Sequence, residues 1–500
     1  MKRNIEGLAM KPSHLRSLTI NMGLLLCLSY CAREEIKLVS SAQLPITTES
    51  TVALGEFQEG MRYANTLQRV EAAKHFRLAV EADPTFATAW LNLAYVSPGT
   101  AGFVSNLDSA KHYAESASEG EQQVILAAHY GFMGNNTQQE KTLKKLVEMF
   151  PGDASVHLLM GNFHFGLRQY HEAIQSYQQA TKFDAELAIL HNQLGYSQRA
   201  LGNYGESEKA FKLYIRLNPE NPNAYDSYAE LLMEMGRFKE SIEFYAKALE
   251  KDPHFIASHI GIACNYAFLG EPEKGRKQLE VMKDLARNNN DTRRAFFTEA
   301  MTYVCEGDLE LAIETIRGNF TRSQAALDVG NMANDLVTLG NLQLEADLFE
   351  DAESSFMQSM SVIDVSDLPQ GVKDNAHSTH HANMARLHAA RGEFSLAKLS
   401  VETFAAQVLP RKNPIQIKLI SRLNGIIALQ QKEFKIAIQE LSKADQLNPY
   451  NLYRIGEAYA GLGDLAQANN YKLQAQDLNV LNSMDQAIVL SKTKFSKQPS

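Results

Sequence analysis

The sequence predicts an all-α protein folded as a right-handed superhelical solenoid of antiparallel helix pairs, and three observations support this prediction. One pattern of residues returns every 34 positions between residues 154 and 282. Small and large side chains recur at fixed places of that pattern. The chain has only 14 prolines in 500 residues, and some of them stand where one helix should end and the next begin, such as Pro219 and Pro253.

Each unit of the pattern ends at a corner residue, and its interior places hold side chains of matching size. The corners are Pro151, Ala185, Pro219 and Pro253. Glycine or alanine fills the eighth place and a small residue usually fills the twentieth, whereas the twenty-fourth holds a large one, namely Tyr177, Phe211, Tyr245 and Leu279. We expect the eighth and twentieth places to meet within a pair, and the twenty-fourth side chain to fill the gap toward the next pair.

This period and this order of small and large residues resemble those of tetratricopeptide repeats, and the resemblance implies about twelve repeats. We divide the chain into an N-terminal array over residues 53–287, a less regular C-terminal array over residues 292–475, and a capping helix with a tail over residues 476–500. Prolines also predict two longer loops. One loop begins at residue 97, with the next helix resuming near Leu107, and the other spans residues 364–375.

The first 31 residues have the order of an export signal, in which basic residues precede a short apolar run. The run ends in Leu-Ser-Tyr-Cys, which resembles the lipoprotein box of bacterial signals. That resemblance implies lipidation of Cys31 and a flexible tether over residues 32–52. Tyr30 departs from the small residue that is usual before the cysteine. Two alternatives remain open: an ordinary signal cleaved elsewhere, and translation that begins at Met10 or Met22.

Beyond the repeat pattern, the chain resembles a group of secreted bacterial tetratricopeptide proteins to which no biochemical role is assigned. The residues that carry this resemblance include residues 44–48, 192–196, 225–232 and 448–454. The resemblance implies a binding array that is exported to the cell envelope, at the periplasm or the outer membrane, and that is held there by its N-terminal lipid.

Charge and motif content argue against several classes of function. The net charge is −9 and the isoelectric point is near 5.9, so the chain lacks the basic surface that nucleic-acid binding requires. The sequence contains no nucleophile elbow, phosphate-binding loop, zinc-protease motif or dinucleotide fingerprint. We therefore expect no enzyme activity, no cofactor and no small-molecule substrate.

Histidines and cysteines are the remaining candidates for a chemical or metal-binding role. A zinc site could be built from His377, His380, His381 and His388. However, His381 falls at the fourth place of its repeat, and other repeats also have histidine there, namely His157, His191 and His259. A place that takes histidine so often predicts a packing role, so we expect no metal site. For Cys264 and Cys305 we expect buried free thiols in preference to a disulfide.

The concave surface of the solenoid is the predicted binding site, because the first helix of each pair lines it. The residues that should face the groove are Leu158, Asn162, Phe165, Asn192, Tyr196, Arg199, Asp226 and Glu230. Asparagine can hold an extended peptide through its donor and acceptor groups, aromatic rings can receive an apolar anchor, and arginine can pair with a carboxylate.

The asparagine, aromatic and arginine side chains predicted to face the groove favour a scaffold or adaptor that binds a peptide or a partner protein. The alternatives are a regulatory subunit of a separate catalytic chain, and a metal-dependent envelope enzyme that uses the four histidines.

Overall fold

A computed structural model describes residues 43–66 and 68–493, and every regular element within them is helical. Cys31, the export signal and residues 32–42 of the predicted tether lie outside these residues. There are 25 α-helices in the described part: α1 Thr51–Asn65, α2 Arg69–Ala82, α3 Ala87–Val96, α4 Gly99–His112, α5 Glu119–Phe132, α6 Asn136–Met149, α7 Ala154–Gly166, α8 Tyr170–Phe183, α9 Ala188–Ala200, α10 Tyr204–Leu217, α11 Pro222–Glu234, α12 Phe238–Lys251, α13 Ile256–Phe268, α14 Pro272–Leu285, α15 Asn289–Glu306, α16 Leu309–Ala325, α17 Val329–Glu345, α18 Phe349–Asp364, α19 Gln370–Ala390, α20 Phe394–Val408, α21 Pro414–Gln430, α22 Phe434–Lys443, α23 Pro449–Gly461, α24 Leu465–Gln476 and α25 Met484–Thr493.

Helices α1 to α24 form twelve consecutive antiparallel pairs, and each pair packs against the next. The predicted all-α solenoid of about twelve repeats is therefore confirmed. Helix α25 follows the last pair, and it packs against α23, α24 and the distant helix α15. None of the described helices is long and apolar enough to cross a membrane.

Small residues close each pair as the sequence predicted. The Ser207 hydroxyl donates to the carbonyl of Gly195 at 2.8 Å, which joins the twentieth place to the eighth. The large twenty-fourth side chain does more than fill the gap toward the next pair. A Cβ at Gly161 would lie 2.3 Å from the ring of Tyr177, so this ring also closes its own pair. Contact with the next pair is made by Tyr245, whose ring would meet a Cβ at Gly261 at 2.1 Å.

The fourth place of the repeat has a polar role that the sequence did not predict. The side chain of the residue at this place donates a hydrogen bond of 2.8 to 3.0 Å to the backbone carbonyl of the corner residue, which lies six positions earlier. This bond recurs in five repeats, at Trp90, His157, His191, Tyr225 and His259. The place therefore requires a flat side chain with a donor at its far end, which explains why histidine, tyrosine and tryptophan alternate there.

Both longer loops predicted from prolines are wrong. Helix α4 begins at Gly99, well before Leu107, and α19 begins at Gln370. In each case the proline is the residue immediately before the helix, at Pro98 and Pro369. Proline is tolerated at a helix start because the first amide groups of a helix have no acceptor within it.

The solenoid also contacts itself between repeats that are far apart in the chain. Arg168 pairs with Asp445, which joins the turn after α7 to the segment before α23. The amide of Asn479 donates to the carbonyl of Glu234 at 3.3 Å. Helix α25 shares an apolar cluster with α13, α15 and α23, in which Cys264 and Cys305 are both buried and neither forms a disulfide. These contacts place α11 inside the molecule, with most of its residues buried.

Candidate functional site

The predicted groove residues lie on three successive first helices, α7, α9 and α11, but they differ in exposure. Three of them are half-buried, namely Asn162, Phe165 and Tyr196. The other five are buried, namely Leu158, Asn192, Arg199, Asp226 and Glu230. The accessible part of the predicted surface is therefore concentrated on α7 and α9.

A charged cluster at the centre of this surface is organised around Arg199, whose exposed fraction is 1%. Its guanidinium lies 2.9 Å from the carboxylate of Glu230 and 3.2 Å from that of Glu234. The two glutamates are four residues apart on α11, so they share one helix face. The sequence-based prediction included Glu230 and missed Glu234, although this spacing was a usable signal.

The same cluster fixes the orientation of Tyr196. Its hydroxyl lies 3.1 Å from the Ser227 hydroxyl and donates to Glu230 at 3.0 Å, and the Arg199 guanidinium lies 4.7 Å from its ring centroid. Burial lowers the pKa of Arg199, but the charges of Glu230 and Glu234 outweigh this effect and raise it. Burial and the charge of Glu230 hold the pKa of Tyr196 well above its usual value. The Arg199 guanidinium therefore stays charged, and the Tyr196 hydroxyl stays neutral.

Asp226 occupies the neighbouring turn of α11, and it receives a hydrogen bond of 2.7 Å from the Ser258 hydroxyl. Burial raises the pKa of Asp226 to about 7, and the charge of Glu230 acts in the same direction. The Ser258 bond and the charge of Arg294 oppose this shift. Asp226 is therefore a carboxyl group that changes its protonation near neutral pH.

The two asparagines of the prediction have different environments. The side-chain carbonyl of Asn162 accepts hydrogen bonds from the Tyr177 hydroxyl at 2.8 Å and the Gln193 amide at 3.0 Å. It therefore connects α7 with α8 and α9. Asn192 is buried, and its side-chain oxygen has no hydrogen-bond partner within the described part of the chain. Phe165 is half-buried and its ring packs edge-on against Tyr170, with ring centroids 5.5 Å apart.

The histidines of α19 pair with acidic or neighbouring side chains. His377 lies 2.9 Å from Asp364, and His388 lies 2.5 Å from Glu393. Burial lowers the pKa values of His380 and His381, and the neighbouring histidine charges lower them further. In residues 43–66 and 68–493, no group of three or more histidine, cysteine or acidic side chains is arranged to hold a metal ion.

Comparison with known proteins identifies the repeats. Family models described as tetratricopeptide repeat match residues 154–187 and 192–254, which cover α7, α8, most of α9, and α10 to α12. Over 338 residues the chain is 24% identical to the CTR9 homolog of Arabidopsis thaliana, a match that covers 65% of this chain and 29% of that protein. Over 104 residues it is 33% identical to the repeat-containing thioredoxin TTL4 of the same plant, which covers 20% of this chain and 15% of TTL4. The chain thus spans less than a third of either relative.

Similar solved structures include a tetratricopeptide repeat protein from Parabacteroides merdae and MamA. The first is 17% identical with a TM-score of 0.36, and the match covers 51% of this chain and 96% of that one. The second, MamA, is 20% identical with a TM-score of 0.29, and the match covers 34% of this chain and 94% of MamA. The helix pairing described above and the two family matches lead to one identification: the chain is a tetratricopeptide-repeat protein.

Proposed function

We propose that this chain is a non-catalytic scaffold or adaptor that binds a peptide or partner protein on its concave surface. Tetratricopeptide repeats act through protein–protein contacts, and two segments of this chain match that family. The observation that carries the proposal is the half-buried side chains Asn162, Phe165 and Tyr196 on adjacent first helices. Accessible aromatic side chains in a concave setting are common anchors for a partner.

The buried charges around this surface support the same proposal. Arg199 pairs with both Glu230 and Glu234, and this cluster holds Tyr196 in one position before a partner arrives. A side chain that is already ordered loses little conformational entropy on binding. In this proposal Phe165 and Tyr196 supply the contact area, and the buried residues of the predicted site position them.

We also propose export to the bacterial cell envelope and attachment through a lipid on Cys31. What supports this is the basic and apolar order of the first 31 residues and the Leu-Ser-Tyr-Cys sequence. Mass spectrometry of the protein from its native membrane fraction tests it. A diacyl or triacyl mass on an N-terminal Cys31 is the expected result, and an unmodified or differently cleaved N-terminus would contradict it.

Site-specific photo-crosslinking tests the concave surface. A photoreactive amino acid at Phe165 or Tyr196 should capture the same partner from the native source, whereas one at Phe183 should not. Phe183 is the matched control because it is an exposed aromatic residue on α8, the second helix of its pair. The captured partner should lose affinity for a Phe165→Ala, Tyr196→Ala variant. Equal capture at all three positions, or unchanged affinity, would contradict the proposal.

A further inference from the structure

The segment that precedes α1 is seated on the array as an extended peptide. Residues 43–50 run past the start of α7, then the start of α5, then Asp83 at the end of α2, before Ser50 caps α1. Burial alternates along it, because Leu44 is buried and Ile46 and Thr48 are half-buried, whereas Pro45 and Thr47 are exposed. A period of two residues is the side-chain pattern of an extended strand.

The Leu44 side chain enters a pocket formed by Gly120 and Phe150. Its exposed fraction is 4%. A Cβ at Gly120 would lie 2.6 Å from both the Leu44 side chain and the Phe150 ring. Since only glycine leaves this space, the identity of residue 120 determines whether a leucine side chain fits there.

Two buried carboxylates, those of Asp153 and Glu121, accept hydrogen bonds from the backbone amides and a hydroxyl of the segment. The Leu44 amide donates to Asp153 at 2.7 Å. The Thr47 amide donates to Glu121 at 3.0 Å, and the Thr47 hydroxyl donates to the other oxygen of that carboxylate at 2.5 Å. Further along, the Thr48 hydroxyl donates to Asp83 at 2.6 Å.

Neither buried carboxylate has a cationic partner among residues 43–66 and 68–493. Glu121 and Asp153 are 2% and 7% exposed, and their other hydrogen bonds come from serine and threonine groups of the array. A buried carboxylate that loses a hydrogen-bond donor is strongly disfavoured. If the segment left, Glu121 would lose two donors and Asp153 one, so the empty slot would favour any segment that supplies them again.

We propose that Asp83, Gly120, Glu121, Phe150 and Asp153 form a peptide-binding slot that shares no residue with the predicted groove on α7, α9 and α11. Residues 44–48 occupy it in cis, and an extended segment with the same order, apolar, proline, apolar, threonine, threonine, binds it in trans when they leave. Amide donors and hydroxyls satisfy the carboxylates, and a leucine-sized side chain fills the pocket.

The test uses the full-length chain and a fluorescent peptide with the sequence of residues 43–50. In the wild-type chain the resident segment competes at a high effective concentration, so the peptide should bind weakly. The double variant Leu44→Ala, Thr47→Val weakens the resident segment, and its apparent Kd for the peptide should be at least about tenfold lower. Adding Gly120→Ala to the double variant should abolish this binding, whereas adding Glu119→Gln should not. Glu119 is the control because it lies beside the slot on α5 but pairs with Lys145.

Hydrogen exchange of the wild-type chain gives an independent measurement. The amides of Leu44 and Thr47 should exchange at least about tenfold more slowly than in the free peptide, since both are hydrogen-bonded to buried carboxylates. Exchange at the rate of the free peptide would overturn the proposal, even if the double variant failed to fold. A folded double variant that does not bind the peptide, or that binds it equally well with Gly120→Ala, would also overturn it.

Discussion

Replacing Asp226 by asparagine isolates the effect of one buried charge, because Asp226→Asn keeps the shape of the side chain and removes its ionisation. Burial raises the pKa of Asp226 from 3.8 to about 7 in the folded chain. In the unfolded chain the same carboxyl group titrates at about 3.9. The folded state therefore binds this proton more tightly than the unfolded state over about three pH units.

The sign of the pH dependence follows from this order of pKa values. The contribution of Asp226 to stability is fully present below about pH 4, and it is lost as the pH rises through about 7. Each pH unit in this window lowers the free energy of unfolding by about 1.36 kcal/mol, so the total is about 4 kcal/mol. The asparagine variant has no proton to lose. Its stability relative to the wild type should therefore rise by about 2.3 kcal/mol between pH 5 and pH 7, and by about 2.7 kcal/mol in total by pH 8, where it levels off.

Urea unfolding followed by far-UV circular dichroism at several pH values measures this difference. Asp367→Asn is the matched control, since Asp367 lies exposed in the turn before α19. Its effect on the free energy of unfolding should not change between pH 5 and pH 8. A constant difference between the Asp226→Asn variant and the wild type over the same range would refute the reasoning, because it would mean that Asp226 ionises as it does in the unfolded chain.

Three other substitutions test the contacts that close the solenoid. Arg199→Met should lower the free energy of unfolding by about 3–5 kcal/mol in urea titrations, because it leaves two buried carboxylates without their cation. Gly261→Ala should lower it by about 1–3 kcal/mol and reduce the melting temperature, since the new Cβ would lie 2.1 Å from the Tyr245 ring. A double-mutant cycle of Arg168→Ala with Asp445→Ala should give a coupling of about 0.5–1 kcal/mol that decreases with salt, because this pair is partly exposed and joins distant repeats.

Matched controls separate these effects from general damage to the helices. Arg216→Met removes an exposed arginine from α10 and should change stability little. Gly205→Ala introduces a Cβ with no atom within 4 Å, so the variant should be as stable as the wild type or slightly more stable. If Arg216→Met lost as much stability as Arg199→Met, the burial of Arg199 would not be the cause. If Gly205→Ala lost as much as Gly261→Ala, the steric contact with Tyr245 would not be the cause. For the cycle, zero coupling at low salt would contradict a direct Arg168–Asp445 interaction.

The 34-residue period allowed the fold to be predicted in detail, because each repeat is built from contacts within the repeat and with its neighbours. The meeting of Ser207 with Gly195 and of Tyr245 with Gly261 follows from places in a repeating pattern. The two wrong loops have a local cause. A proline marks either the end of one helix or the start of the next, and sequence alone did not distinguish these cases at Pro98.

Burial at the candidate site could not be predicted in the same way. The place of Arg199 in its repeat indicates the concave side of α9, but α11, the helix with which Arg199 pairs, is covered by contacts made across the solenoid. Asn479 reaches Glu234 across 245 residues of sequence, and α25 reaches α15 from the end of the described chain. A pattern with a period of 34 residues carries no information about such contacts.

This difference between local and distant contacts also changes what the predicted residues do. Because the solenoid closes over α11, Arg199 and Glu230 pair inside the molecule, where both are buried away from a partner. Tyr196 is half-buried, and its hydroxyl is held by Glu230 of the same cluster. The predicted groove residues thus form two groups. In our proposal Tyr196 contacts the partner, whereas Arg199 and Glu230 hold Tyr196 in position. Loss of partner binding in an Arg199 variant would consequently report on the orientation of Tyr196, and comparison with Tyr196→Phe, which keeps the ring and loses the hydroxyl, would distinguish orientation from direct contact.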